Sequence, residues 1–299
     1  MALRTHGRYS YSAITQRPDY SWHGNRRLAV YIALNLEHFG FGEGLGASLA
    51  PGGPVPDVLN YAWRDYGNRV GVWRLLELFD QLQLPVALLV NSEIYNYCPE
   101  VIAAFRQRQD EIVAHGRTNA ERQNDLQESG ERELIAETTA VIHRHEGRPP
   151  QGWLCPWIAQ SEVTPDLLQE LGYRYFLDWC HDDQPIWFKT RRGKILSVPY
   201  PQEINDIPAI VARRASAAEF ADMIVDNFDE MLVQSEQQPL VYGIALHPYI
   251  VGQPFRLRHL RRALEHVVKY AAKADSPVWL TVPGAIASHI ASLPPGIVP

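Results

Sequence analysis

The stretch Tyr31–Gly44, YIALNLEHFGFGEG, runs as an apolar strand and stops, without a turn residue, on an acid and an imidazole, Glu37 and His38. Upstream the run extends back to Leu28, giving LAVYIALNL. An uninterrupted apolar run of this kind is the pattern of a strand covered on both faces, as in a parallel sheet flanked by helices. Seven further runs read the same way: LPVALLVNS, EIVAHG, GWLCPWI, YRYFLDW, KILSVPYP, LVYGIALHP and SPVWLTVPG. Amphipathic stretches separate them. Val72, Leu75, Leu76 and Phe79 share one helical face, as do Phe220, Ile224, Phe228 and Leu232. Ser216 and Glu219 form an S-x-x-E capping box, and Thr164 before Pro165 reads as an N-cap with proline at the first helical position. About seven to eight strands alternating with helices predict an α/β fold, a distorted, closed or nearly closed (β/α) barrel. The predicted boundaries are an N-terminal extension over 1–20, one barrel over 21–290 and a tail over 291–299. No G-x-G-x-x-G follows the first strand, which argues against a dinucleotide-binding sheet.

Composition narrows the partners. A net charge of −6 and a pI near 6.0 leave no basic footprint for nucleic acid or anionic membrane, so a small molecule is the expected ligand. Neither an apolar leader nor a run long enough to span a bilayer is present, which predicts a cytoplasmic protein. The three cysteines, Cys98, Cys155 and Cys180, fit no zinc or disulfide spacing and are expected to be reduced packing residues.

In a β/α barrel the chemistry collects where the strands end at their C-terminal side. Those ends read Glu37-His38, Asn91-Ser92-Glu93, His115, Pro156-Trp157, Asp178-Trp179, Pro199-Tyr200, His247 and Thr281. Any one polar residue after a strand is usually a cap, but eight on one rim predict a site. Glu37, His115 and His247 each follow an apolar run directly and carry groups that move protons near neutral pH.

The segment WRDYGNRVGVWRLLELFDQLQLPVALLVNSEIYNYCPEVIAAFRQRQDEIVAHGRTNAERQ resembles the polysaccharide deacetylase (NodB-homology) superfamily, in particular its branch of cofactor-free bacterial allantoinases and cyclic imide hydrolases. The run from Tyr66 to Arg74 is its most specific element, and GWLCPWIAQSEVTPDLLQELGYRYFLDW, DDQPIWF and LHPYIVGQPFR fit as well, so the likeness spans about residues 20–285. It implies a NodB-like barrel, hydrolysis of carbon–nitrogen bonds and a homo-oligomer. Metal-dependent members carry an aspartate pair after the first strand and H-x-x-x-H after the third. Here Glu37 stands at the base position, His38 at the metal aspartate, and HGRTN keeps His115 but puts Asn119 where the second histidine belongs. An amide is a poor zinc ligand, so no cofactor is expected as first choice, and Zn²⁺ held by His38 and His115 with Glu37 is the alternative.

Hydrolysis of an amide needs an activated water, a partner for the oxyanion and an acid for the departing nitrogen. Glu37, made more basic by its apolar flanks Leu36 and Phe39, is the expected base, and His247 in LHP the acid. His115 and Asn119 orient the substrate carbonyl, while His38, Arg117 and Trp157 are the remaining expected substrate contacts. Trp153, Trp179 and Trp187 are further indoles near the rim, and Asp182 and Asp183 are read as structural. The glycine-rich FGFGEGLGASLAPGGPVPDV fits no phosphate loop and is expected to cover the site. Three functions match these residues: a hydrolase of a small, cyclic amide, imide or ureide; a metal-dependent deacetylase of N-acetylated sugars; and a binding protein on the same fold.

Overall fold

The computed structural model describes residues 3–42 and 45–299. Glu43 and Gly44 of the glycine-rich segment lie outside the described residues. Nine strands are present among them: β1 Leu28–Leu36, β2 Val86–Val90, β3 Glu111–Ala114, β4 Gly152–Trp153, β5 Tyr175–Phe176, β6 Ile186–Thr190, β7 Gly193–Ser197, β8 Leu240–Leu246 and β9 Val278–Thr281. They run in the order β6-β7-β5-β4-β3-β2-β1-β8, with β9 also paired to β1. The eight-strand path curls with helices around it, the NodB-like α/β arrangement expected from the sequence. The strand that the apolar-run reading passes over is β6, antiparallel to β7. Its Ile186 and Phe188 are buried while Trp187 and Lys189 are not, the alternation of a half-covered edge strand rather than of a central parallel one. Closure across the open side is made by single contacts, with Asn205 bridging to Ala245 and Ala245 N–H donating to Ile204 O at 3.0 Å.

Strand parity determines which residues reach the interior, because successive side chains of a strand point to opposite faces. On β1, Leu28, Val30, Ile32, Leu34 and Leu36 pack in the outer core under the helices, whereas Ala29, Tyr31 and Ala33 pack inside the barrel. Asn35 and Glu37 continue the inner series. On β8, Val241 and Ala245 are inner and His247 continues them. His38 has the outer parity. β9 pairs only with Leu28–Tyr31, the lower half of β1, so Thr281 ends below the rim and contributes nothing to it.

The Tyr66–Arg74 run has a packing explanation. Gly67–Gly71 forms a π-helical turn between the helices Val58–Tyr66 and Val72–Leu82, and it lies directly on Pro248–Val251, the short helix that follows His247. A Cβ at Gly67 would sit 2.7 Å from Tyr249 N, and one at Gly71 would sit 2.2 Å from Pro248 O. Arg74 ties the contact by donating to Gly252 O at 3.1 Å and to the Tyr66 hydroxyl, and Asn68 Nδ2 donates to Glu37 O at 2.8 Å. The run therefore carries no reacting group; it lets two helical turns touch so that residues 247–249 sit beside Glu37.

Other expectations resolve locally. The Ser216–Glu219 capping box forms. Thr164 is already helical rather than the cap, since its hydroxyl is drawn to buried Glu131. Residues of the N-terminal segment lie against the β5–β6 side, with Arg8 paired to Asp166, Arg17 to Asp182, and Lys189 N–H donating to Arg8 O at 2.8 Å. Among the described residues no helix is long and apolar enough to cross a membrane.

Gly71→Ala tests the close packing. The added methyl is expected to lower stability by about 1–3 kcal/mol, the usual range for overpacking, and to lower turnover by displacing Tyr249. An unchanged urea midpoint and unchanged activity would show that the contact is dispensable.

Candidate active site

A cavity of about 130 Å³ opens at the C-terminal ends of the strands, and Glu37, His115, Asn119, Trp157 and His247 all line it. Glu37 is 6% exposed, His115 2% and His247 3%, so the three proton-moving groups meet away from bulk water.

Glu37 is held by a chain of amides whose direction begins at the backbone. His38 N–H, which can only donate, reaches Asn91 Oδ1 at 2.8 Å. Asn91 must then present its Nδ2, which donates to His115 O and, at 3.0 Å, to Asn119 Oδ1. Asn119 is thereby left with its Nδ2 toward Glu37 Oε1, at 2.5 Å. The other carboxylate oxygen, Oε2, accepts from the Tyr249 hydroxyl at 3.0 Å. Asn119 is further fixed through its backbone, since its N–H donates to His38 O and its carbonyl accepts from Trp157 Nε1, both at 2.9 Å. Trp157 and Ile158, which line the cavity beside it, have φ of 63° and 55°. That left-handed conformation is costly for bulky and β-branched residues, and such strain tends to be retained at functional sites.

Two imidazoles face Glu37 Oε1 across short gaps, His115 Nε2 at 3.7 Å and His247 Nε2 at 3.6 Å. Each is oriented by its other nitrogen. His115 Nδ1 lies 2.8 Å from Leu154 O, a carbonyl that can only accept, so the proton sits on Nδ1 and neutral His115 keeps a lone pair on Nε2; that atom is buried and has no partner. His247 Nδ1 lies 2.6 Å from Asp206 Oδ1, while Asp206 Oδ2 accepts from His247 N–H at 2.7 Å.

The electrostatics correct the expected basic Glu37. Burial alone raises its carboxyl, but the charged His247 imidazole opposite it outweighs burial and holds it well below the ordinary carboxylate value. Burial alone likewise disfavours a charged His247, and the Asp206 and Glu37 carboxylates overcome that and raise it to about 10. The resting site is a carboxylate opposite an imidazolium. Burial, reinforced by Glu37, pushes Tyr249 well above the ordinary tyrosine value, so it remains a donor. Under the floor of the cavity, burial raises Asp178 to about 6, and it accepts from Cys155 N–H at 2.7 Å and from the Cys155 thiol at 3.1 Å. Burial also raises the Cys155 thiol well above the ordinary value, which leaves it a donor and no nucleophile.

Several expected contacts do not converge. His38 has the outer strand parity and packs tilted against Tyr97 with centroids 4.4 Å apart, away from the cavity. Arg117 turns outward to Glu121 and Glu137, at 3.0 and 2.7 Å. Asn119 faces the carboxylate rather than a substrate carbonyl, and of the four indoles only Trp157 lines the cavity. None of the described residues 40–57 lines it either. The pair expected for zinc, His38 and His115, is therefore split between two faces. A cation on Glu37 Oε1 would meet the Asn119 N–H on one side and, of the histidines expected to hold zinc, the lone pair of His115 alone, so the expected set of His38, His115 and Glu37 is not assembled. Among the described residues no group of three or more His, Cys, Asp or Glu is arranged to hold one. Sequence reading missed Tyr249 and Asp206. Tyr249 lies two residues past His247 in LHPY, whereas nothing in EINDIP marks Asp206.

Comparison with known proteins agrees with this architecture. Residues 61–176 match the family model described as Polysaccharide deacetylase. A Schizosaccharomyces pombe protein described as a polysaccharide deacetylase is 24% identical over 296 residues, covering 89% of this chain and 91% of that one. Among solved structures, PuuE allantoinase superposes with a TM-score of 0.78 at 25% identity, covering 94% of this chain and 97% of the other. A Pseudomonas aeruginosa PAO1 protein described as a polysaccharide deacetylase gives a TM-score of 0.75 at 27% identity, with 90% and 92% covered.

Asn119→Leu keeps the branched shape of the side chain and removes the amide from the chain. It removes the amide donor from Glu37 Oε1 and one of the two acceptors of Asn91 Nδ2, and a stability loss of about 1–3 kcal/mol is expected in urea unfolding. A loss below about 0.5 kcal/mol would show that the amide chain does not hold the site.

Proposed function

We propose that this chain, whose residues 61–176 match the Polysaccharide deacetylase model, hydrolyses a carbon–nitrogen bond in a small cyclic amide, imide or ureide by general acid/base activation of water without a metal. The observation that carries this reading is the Glu37 carboxylate set 3.7 and 3.6 Å from two imidazoles of fixed orientation. A cavity of about 130 Å³ matches a single ring better than a polysaccharide, and one structural neighbour is named an allantoinase.

The roles follow from the donors and acceptors. Glu37 Oε1 and His115 Nε2 are two acceptors flanking one gap, where a water donating to both would turn its own lone pair toward the substrate carbonyl. Glu37 takes the proton as the water oxygen bonds to the carbonyl carbon. His247 Nε2–H faces the oxygen on which negative charge develops, and then gives its proton to the nitrogen as the carbon–nitrogen bond breaks. Glu37 is a weak base while His247 is a cation beside it, and its basicity rises as that positive charge is consumed. After product leaves, the proton on Glu37 returns across the 3.6 Å gap to His247. Asp206 keeps His247 protonated and oriented, while Asn119 and Tyr249 hold the carboxylate. Three free cysteines, Cys98, Cys155 and Cys180, support a reducing cytoplasmic setting. We take the active form to be a homo-oligomer. The second reading, deacetylation of an N-acetylated sugar, is supported by the name of the family that residues 61–176 match.

Glu37→Gln keeps the volume and removes the acceptor, so turnover should fall by roughly two to four orders of magnitude. A screen of hydantoins, imides, ureides and N-acetyl sugars with wild type identifies the substrate class, and activity confined to N-acetyl sugars would overturn the cyclic-amide reading. Dialysis against EDTA is expected to leave activity intact; loss restored by Zn²⁺ would overturn the metal-free mechanism.

The pH profile provides a separate check. Glu37 ionises well below the ordinary carboxylate value and must be ionised, so it imposes no limb between about pH 4 and 8. His247 must be protonated and loses its proton at about 10, so kcat/KM should fall on the alkaline side. Asp206→Asn removes a charge that raises His247, and the alkaline limb should therefore move to lower pH. A limb that stays in place would remove His247 from the acid role.

A further inference from the structure

A hydroxyl proton at the catalytic cavity has no good acceptor in the protein. Two tyrosines and one cysteine line that cavity, Tyr249, Tyr200 and Cys155. Tyr249 donates to Glu37 Oε2 at 3.0 Å and the Cys155 thiol to Asp178 Oδ2 at 3.1 Å. Tyr200, 3% exposed, has no carboxylate of its own and pairs with Asn35 of β1. The direction of that pair is decided from outside it. Asn35 Nδ2 lies 3.2 Å from Leu246 O, a carbonyl that can only accept, and the same nitrogen donates to Tyr200 Oη at 3.1 Å. Tyr200 is thus an acceptor toward Asn35. Among the described residues its own proton meets only Asn35 Oδ1 at 3.4 Å, well beyond the about 2.7–2.8 Å usual for O–H···O. Oδ1 and Nδ2 sit on one carbon, so a hydroxyl that turns a lone pair to the nitrogen does not also aim its proton squarely at the oxygen.

The Tyr200 ring borders a second cavity as well, beside Asp183 and Met231, but the hydroxyl belongs to the catalytic one. Asn35 lines the catalytic cavity and not the second, and Leu246 immediately precedes His247. Burial raises the Tyr200 phenol well above the ordinary tyrosine value despite the bond from Asn35, and the Glu37 and Asp206 carboxylates add to that effect, so the hydroxyl keeps its proton and stands within reach of those charges.

Amide hydrolysis makes two demands on the acid side of the site. The carbonyl oxygen becomes negative as water adds, and the nitrogen takes a proton as the carbon–nitrogen bond breaks. His247 Nε2 carries a single hydrogen, which cannot stay on the oxygen and also go to the nitrogen. A donor that remains on the oxygen divides the two tasks.

We infer that the Tyr200 hydroxyl is that donor and binds the oxygen on which negative charge develops. The inference rests on the reading of Glu37 and His247 as base and acid, and it applies to a ring amide and to an N-acetyl group alike. As the water oxygen bonds to the carbonyl carbon, the carbonyl π pair moves onto the oxygen and accepts from Tyr200. When the carbonyl forms again, the electron pair of the carbon–nitrogen bond takes the His247 proton, and Tyr200 keeps its own throughout. Tyr200 is a catalytic residue in this scheme, and Asn35 is the positioning residue that leaves its proton free.

The test compares Tyr200→Phe with Asn35→Ala on whichever of glutarimide, hydantoin and N-acetylglucosamine the wild type hydrolyses fastest, with folding checked by circular dichroism and urea midpoint. Tyr200→Phe keeps the ring and removes the hydroxyl, so kcat should fall by about 10²–10³-fold, the usual effect of losing one oxyanion donor, with KM changed by less than about threefold. The alkaline limb set by His247 should stay at its wild-type pH. Asn35→Ala keeps the hydroxyl without its support and should lower kcat by about tenfold at most. For Tyr200→Phe, a kcat within about threefold of wild type, a raised KM with kcat unchanged, or a displaced alkaline limb overturns the role of Tyr200 while leaving the base and acid standing. Equal losses in the two variants do the same, because they would place the effect in the Asn35–Tyr200 pair. Absence of hydrolysis of all three compounds by the wild type overturns both the role of Tyr200 and the reading beneath it.

Discussion

The His38 backbone N–H bonded to Asn91 Oδ1 sets the polarity of everything around Glu37. A backbone amide has one direction only, so it fixes the Asn91 carboxamide, which fixes that of Asn119, which points hydrogens at the carboxylate. Had Asn119 been a metal ligand, lone pairs would stand where those hydrogens are. The amide chain thus decides what kind of chemistry the rim supports, and it spans β1, β2 and the loop after β3, so that the register of the three strands and the orientation of the carboxylate are one constraint.

Around that constraint the charges are balanced by pairing. Asp206, His247 and Glu37 are all nearly inaccessible to water, and each alone would be driven toward its neutral form. Together they form an acid–base–acid row in which the central imidazole carries the proton. The same mutual support that holds Glu37 low at rest makes its basicity depend on where the His247 proton goes.

The Tyr66–Arg74 run shows how sequence specificity and catalytic role can separate. Its glycines are required by approach distances of 2.2 to 2.7 Å between a would-be Cβ and the backbone that follows His247. The most recognisable motif of the chain is therefore a packing device, whereas Asp206 and Tyr249, which touch His247 and Glu37, sit in unremarkable sequence.

Much of the fold was legible in the apolar runs, because a central parallel strand must be apolar on both faces; β6 escaped because an edge strand need not be. Glu37, His115 and His247 were legible as strand ends, and parity along β1 and β8 was enough to place Glu37 and His247 inside and His38 outside, since side-chain direction alternates residue by residue. By itself, then, the sequence determined the barrel, the rim and three titratable residues, Glu37, His115 and His247, that meet at one cavity on it. Tertiary structure decided the rest: that Asn119 turns its hydrogens to Glu37, that Arg117 leaves for Glu121 and Glu137, and that Asp206 reaches His247 and Tyr249 reaches Glu37. The Asn119, Asp206 and Tyr249 outcomes depend on hydrogen-bond direction and on contacts across 41 to 212 positions of chain, which no local pattern encodes.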